Sequence, residues 1–356
     1  MAKGVADNNL NPRFIPELIM SQPSSKTMSK ISCDLDFDQP GEQHGQLTVP
    51  WSRNESPWGS LLIPISVIQG RAGPTLMLVG GNHGDEYEGP VTLMNLRRNL
   101  RASELRGRVI IIPALNYPAV KAGQRLSPID GKNMNRVFPG NPDGTITEWI
   151  ADYVYRFILP LCDVVVDIHA GGKAMQFLPT TVVHQLRDSQ RMSATLNAAA
   201  AFAAPHCLVL EELDARGMLD TVVEESGKIF ISTELGGAGS TTLETLGIAR
   251  QGVHDLMVHL DMLDTQARSR VTTRFLSTPD HAFCLAQCPG IYEIVKEPGN
   301  TVEKGDVLGR IHDIDTPTGE AVDCRATLSG LVIQRHWSGW IERGDCAAVI
   351  AIPYGK

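Results

Sequence analysis

The stretch PTLMLVGGNHGDEYEGPVTLMNLRRNL, residues 74–100, decides how this chain reads. Its opening is a short apolar run closed by Gly-Gly, the pattern of a strand buried on both faces of a parallel sheet. A polar loop, NHGDEYEGP, follows. VTLMNLRRNL then sets apolar residues at helical spacing. Strand, loop and helix in that order are the start of a βαβ unit.

The same alternation continues in both directions. Residues 31–70 read as extended segments, and residues 1–30 as a polar, loosely ordered start. Downstream come a strand in VIIIPAL (109–115), a Gly/Pro/Asn-rich loop (116–145), a helix near 146–159 and a strand in CDVVVDIH (162–169). A strand near 178–184, an Ala-rich helix near 188–204, the strand KIFISTELGG (228–237) and a helix near 243–263 complete the series. The expectation is an α/β fold with a mixed, mostly parallel sheet flanked by helices, with ligands at the carboxyl ends of its strands.

After about residue 275 the pattern changes to short β-like runs with no helix. NTVEKGDVLGRI (300–311) and GWIERGDCAAVI (339–350) echo one another, each setting a Gly-Asp turn before an apolar strand. This is the weak repeat of a small β-barrel. The chain therefore divides into an α/β unit, 1–277, and a C-terminal all-β unit, 278–356.

The 356 residues are 42% hydrophobic, enough for a sizeable core, and the formal net charge of -8 argues against nucleic acid or an anionic membrane as partner. The seven cysteines are scattered, with no C-x-x-C pair, and read as reduced thiols of a cytoplasmic protein. No signal peptide or membrane-length apolar run is visible.

The chemistry gathers at strand ends. His83 and Glu86 are three apart in the loop after the first strand, so one turn can aim both at a point. His169 ends a second strand. Two imidazoles and a carboxylate are good zinc ligands that leave a coordination position open for water. Glu234 ends a third strand, where it could act as general base toward water and then protonate a leaving amine, a role contributing roughly 10²–10⁴-fold. In the long loop, Arg136 with Asn135 could grip a carboxylate, and Arg125 could stabilise an oxyanion. Asp167 shares a strand face with His169 and could orient it. His254 and His259, five apart on a helix, and His44, His184, His206, His281, His312 and His336 read as structural or surface residues.

NHGDE, NMNR, DIHAGG and TELGG, in this order, resemble the succinylglutamate desuccinylase/aspartoacylase family, which is related to zinc carboxypeptidases. The resemblance covers nearly the whole chain. It implies a carboxypeptidase-like fold, one zinc ion per chain, and hydrolysis of a small N-acyl amino acid, with a homodimer as the assembly. It also implies His83, Glu86 and His169 as ligands, Glu234 as base, Arg125 on the acyl carbonyl, and Asn135 with Arg136 on the substrate carboxylate. Arg216, in DARGMLD, is a further candidate contact for that carboxylate. Within the family, GGNHGDEYEGP, GKNMNRVFPG and DIHAGGKAMQF resemble a member whose substrate carries a side-chain ammonium. An acidic group would then face that cation, and Glu88, Asp220, Glu224 and Glu225 are the candidates. The alternatives are a desuccinylase or aspartoacylase, a peptidase, and a metal- or ligand-binding protein without catalysis. The β unit also resembles biotinyl and lipoyl barrels. Its stretch TPTGEAVDCRATLSG has no lysine, so it reads as a structural or access-shaping module.

Overall fold

A computed structural model describes residues 28–211, 216–316 and 318–355. The expected loose start, 1–30, lies almost wholly outside these. The strands of the first part are β1 (Ser32–Cys33), β2 (Gly41–Pro50), β3 (Ser60–Gln69), β4 (Arg71–Gly80), β5 (Arg106–Ile112), β6 (Val164–His169), β7 (Met175–Phe177), β8 (Thr180–His184), β9 (His206–Leu210), β10 (Ile229–Glu234) and β11 (Arg274–Ser277). The helices are α1 (Glu88–Asn99), α2 (Tyr117–Ala122), α3 (Ile146–Tyr153), α4 (Ser189–Phe202), α5 (Leu219–Glu225) and α6 (Leu243–His259). The C-terminal strands are β12 (Phe283–Leu285), β13 (Gly290–Ile294), β14 (Thr301–Val302), β15 (Val307–His312), β16 (Val322–Arg325), β17 (Gly330–His336), β18 (Trp340–Ile341) and β19 (Cys346–Pro353).

The main sheet runs β1-β2-β3-β5-β4-β6-β10-β8-β9-β11-β19-β17-β14. Its centre is parallel, β5-β4-β6-β10, and so is the group β8-β9-β11. The two groups meet at an antiparallel pair, β10 with β8. Only residues 170–179 separate β6 from β8, and β7 takes up part of them, so no crossover helix intervenes and β8 enters reversed. β6, VVVDIH, is buried along its whole length, the polar Asp167 and His169 included.

Each face of the sheet carries a core. On one, Leu76, Leu78, Val166 and Ile231 pack against α1, α4 and α6 through Leu93, Phe202 and Val253. On the other, Met77, Val79, Val165 and Phe230 meet α3 and α5 through Ile150 and Val222. Asp188 caps α4 by accepting from the N–H groups of Gln190 and Arg191, and Thr242 with Thr245 caps α6. Among the described residues no helix is long and apolar enough to cross a membrane.

In the C-terminal part, β16-β15-β13-β18 form a separate four-stranded antiparallel sheet, while β19, β17 and β14 extend the main one. The echo in sequence is an echo in structure. Gly305 and Gly344 both take a φ of +95°, and Asp306 and Asp345 both return a carboxylate to the N–H three residues back, of Glu303 and Glu342. Glycine is needed at both because an L side chain is strained at that φ. β17 also pairs with β7, with His336 opposite Met175, and Trp337 N–H donates to Ala174 O at 2.8 Å. The C-terminal strands thus hold the segment that follows His169.

Candidate active site

Three parallel strand ends build the site. β4 delivers the loop with His83 and Glu86, β6 ends at His169, and β10 ends at Glu234, directly opposite His169 in register. Leu235 N–H and the Thr233 hydroxyl both donate to His169 O, at 3.0 Å each, which locks these two ends together. The His83 loop packs so closely on α2 that a Cβ on Gly84 would lie 2.0 Å from the Ala119 carbonyl carbon. Only glycine allows that approach.

Glu86 lies between the two rings. Its Oε1 is 2.7 Å from His83 Nδ1 and its Oε2 is 2.8 Å from His169 Nδ1. Ala170 N–H also donates to Oε2 at 3.1 Å. One donor atom from each of His83, Glu86 and His169 lies within 4.8 Å of the others, the only such group among the described residues able to hold a metal ion. All three side chains are buried.

The far nitrogen of each ring is engaged. His169 Nε2 lies 2.9 Å from Asp167 Oδ2, which also accepts from Asn82 Nδ2 at 2.7 Å. His83 Nε2 lies 3.1 Å from Asn133 Oδ1. An acceptor behind each ring puts the proton on Nε2 and leaves the Nδ1 lone pair for a cation, as in metal-ligating histidines generally. The donor set, the burial and the fixed ring orientations suit zinc.

Protonation follows from the crowding. Burial would raise Glu86, but His83 and His169 outweigh it and hold the carboxyl well below its usual range. Burial would lower His169, yet Asp167 and Glu86 raise it well above an ordinary histidine. For His83 burial dominates and the shift is downward. Glu234 is pushed up to about 8 by burial and by Glu86 and Glu88, against the pull of His169 and Arg125. Its Oε2 is buried without a hydrogen-bond partner.

Arg125 reaches in from the loop after α2. Its Nη1 is 3.2 Å from His83 Nδ1 and 3.6 Å from Glu86 Oε1, with the side chain 44% exposed. The other polar residues read from the long loop stand differently. Asn135 Oδ1 accepts from Leu219 N–H at 2.9 Å, so it anchors the start of α5. Arg136 is exposed and its Nη1 donates to the Asn135 carbonyl at 2.6 Å. Arg216 is exposed beside it, because Gly217 packs against the Arg136 backbone with Phe138 N–H donating to Gly217 O.

The four acids divide as well. Glu224 and Asp220 face His184, at 3.0 and 4.0 Å, and Glu225 is exposed. Glu88 is buried beneath the site and accepts from the Thr245 hydroxyl at 3.1 Å; burial raises it to about 7. The sequence reading singled out neither Asn133 nor Asn82. The available signal was an asparagine beside each candidate, in GGNH and NMNR.

Comparison with known proteins bears on the same residues. Residues 72–260 match the model described as Succinylglutamate desuccinylase/Aspartoacylase catalytic domain. N-alpha-acetyl-L-2,4-diaminobutyric acid deacetylase of Halomonas elongata is 42% identical over 333 residues, 93% of this chain and 97% of the relative. The product-bound structure of the Ectoine utilization protein EutE (DoeB) from Ruegeria pomeroyi superposes with a TM-score of 0.89 at 45% identity, covering 91% of this chain and 99% of that one. A structure named succinylglutamate desuccinylase, from Silicibacter sp. TM1040, gives 0.88 at 44% identity, covering 92% and 99%. Fold and relatives together define an amidohydrolase acting on N-acyl amino acids. The chain belongs to the succinylglutamate desuccinylase/aspartoacylase family.

Proposed function

We propose that this chain is a zinc-dependent deacetylase that converts N-α-acetyl-L-2,4-diaminobutyrate to L-2,4-diaminobutyrate and acetate, a step of ectoine degradation. The observation that carries the reading is the 42% identity, over almost the full length of both chains, to a relative named for that activity. The convergence of His83, Glu86 and His169 beside Glu234 supports it.

His83, Glu86 and His169 would hold one zinc ion, through two Nδ1 atoms and a carboxylate oxygen. Bound there, zinc supplies Lewis acidity that makes water more acidic and an amide carbonyl more electrophilic. Glu234 takes the proton of the attacking water. It then delivers that proton to the departing nitrogen, so acetate and a free amine leave. A carboxyl whose surroundings raise its pKa is suited to carrying that proton. Arg125, within hydrogen-bond distance of the centre, stabilises the oxyanion of the tetrahedral stage. Asn135, Arg136 and Arg216 belong to the carboxylate end of the substrate: Asn135 by fixing the turn into α5, the two arginines as exposed cations on neighbouring backbones.

The division into a catalytic unit, 1–277, and a β unit, 278–356, belongs to this reading, with the β unit shaping access through β17 and β7. So do a cytoplasmic location, consistent with seven unpaired cysteines, and a homodimer.

A second reading, N-succinylglutamate desuccinylase, is favoured by the name of the 44%-identical Silicibacter structure. Hydrolysis of N-α-acetyl-L-2,4-diaminobutyrate, N-acetyl-aspartate and N-succinyl-glutamate, with metal content measured on the same sample, separates the two. Strong preference for the first with about one zinc per chain is expected. Preference for an acidic substrate would keep the metal chemistry and overturn the substrate. In Glu234→Ala, turnover falls by about 10²–10⁴-fold with zinc retained. Near-normal activity in that variant would remove Glu234 from the mechanism.

A further inference from the structure

A cavity of about 680 Å³ opens between the C-terminal half of α1, α6 and the segment 263–268, away from the strand ends that carry the site. That volume is typical of small-molecule sites. Part of its wall is apolar: Leu96 and Leu100 of α1, Val253 and Met257 of α6, and Leu263. Its lining also holds three arginines, Arg71, Arg250 and Arg268, which come from three separate segments. None of the three is in an ion pair among the described residues, and Arg250 uses only its Nε, on Leu246 O.

The cavity thus combines an apolar stretch of wall with unpaired guanidiniums around it.

We propose that this cavity is a second, non-catalytic site that binds a small organic monocarboxylate with an apolar body. The guanidiniums match a carboxylate in geometry and charge. Glu104 and Asp264 also line the cavity, and their charge disfavours polyanions such as phosphates. The apolar portion lies along Leu96 and Leu263, the partly exposed apolar residues of the lining, with Val253 and Met257 packed behind.

The test uses the full-length, metal-loaded protein with ¹³C-methyl methionine, titrated with 4-phenylbutyrate and with its uncharged counterpart 4-phenylbutan-1-ol. The Met257 methyl resonance, assigned through Met257→Leu, shifts saturably with the carboxylate. The alcohol binds about tenfold more weakly, the expected worth of one charge-assisted contact. Arg250→Glu and Arg268→Glu, both on exposed positions, weaken the carboxylate by a similar factor and leave turnover unchanged. Leu96→Trp, which adds bulk to the apolar part of the wall, reduces the shift. An unmoved Met257 methyl, equal binding of the alcohol, or undiminished binding in both charge reversals would overturn the proposal.

Discussion

Two buried histidines end the strands on either side of β10 and meet different fates. His169 ends β6 and His184 ends β8. Each faces two carboxylates: Asp167 and Glu86 at 2.9 and 2.8 Å for His169, Glu224 and Asp220 at 3.0 and 4.0 Å for His184. By composition alone the two clusters are alike. Direction separates them. β6 and β10 are parallel, so His169 arrives beside Glu234; β8 is antiparallel to β10, with Thr180 opposite Glu234. His184 is therefore four residues further along, about 13 Å from the site end. Its acids both come from α5, one turn apart, and no second histidine converges with them to make a metal-holding group among the described residues. A histidine becomes a candidate ligand by where its strand stops, and its acidic neighbours alone do not make it one.

Substitution should separate the two most sharply. His169→Ala is expected to lose stoichiometric metal and, with it, turnover, whereas His184→Ala keeps both; metal analysis and initial rates on the pair decide. Loss of metal from the His184 variant would break the distinction.

Asp167→Asn tests the support behind the ring. It keeps the shape but weakens the acceptor for His169 Nε2, and metal affinity should fall by about 10–100-fold in a chelator competition. Asp220→Asn, the corresponding change beside His184, should leave that affinity unmoved.

A gentler probe is pH. Metal-free His169 holds its proton well above the usual imidazole range, because Asp167 and Glu86 outweigh burial. A cation must displace that proton, so apparent metal affinity rises with pH, by about tenfold per unit for each proton released, until the raised pKa is passed. A flat profile between pH 6 and 8 would mean that no proton is displaced.

The smallest effect expected is on stability. His184→Ala strands Glu224 and Asp220 in a partly buried setting, which should cost about 1–3 kcal/mol in denaturant unfolding with activity near normal.

Much of this was legible beforehand. The buried strands β4, β6 and β10, the helices α1, α4 and α6, and a C-terminal part with no helix among its described residues all followed from apolar periodicity. So did the Gly-Asp repeat, since a positive-φ glycine and a carboxylate returning to the backbone are local chemistry. The convergence of His83, Glu86 and His169 was expected from strand ends. What escaped was short or long-range. β9 is five residues and α5 seven, too brief for a periodic signal, and α5 starts where Asn135 holds Leu219 N–H from 84 residues away. The predicted loop 116–145 contains α2 and a single 3₁₀ turn at Met134–Arg136 for the same reason. Asn133 and Asn82, which hold His83 and Asp167, are distant in sequence from their partners.

By itself the sequence determined the strand-loop-helix order, the apolar cores and the residue types at each strand end, because these depend on local pattern and hydrophobicity. Only the tertiary structure decided that β8 is reversed, that β17 reaches over to β7, and that one His-Glu-His set converges while the acids around His184 do not. Those outcomes depend on which strands pair and in which direction, and pairing is settled by contacts between residues far apart in the chain.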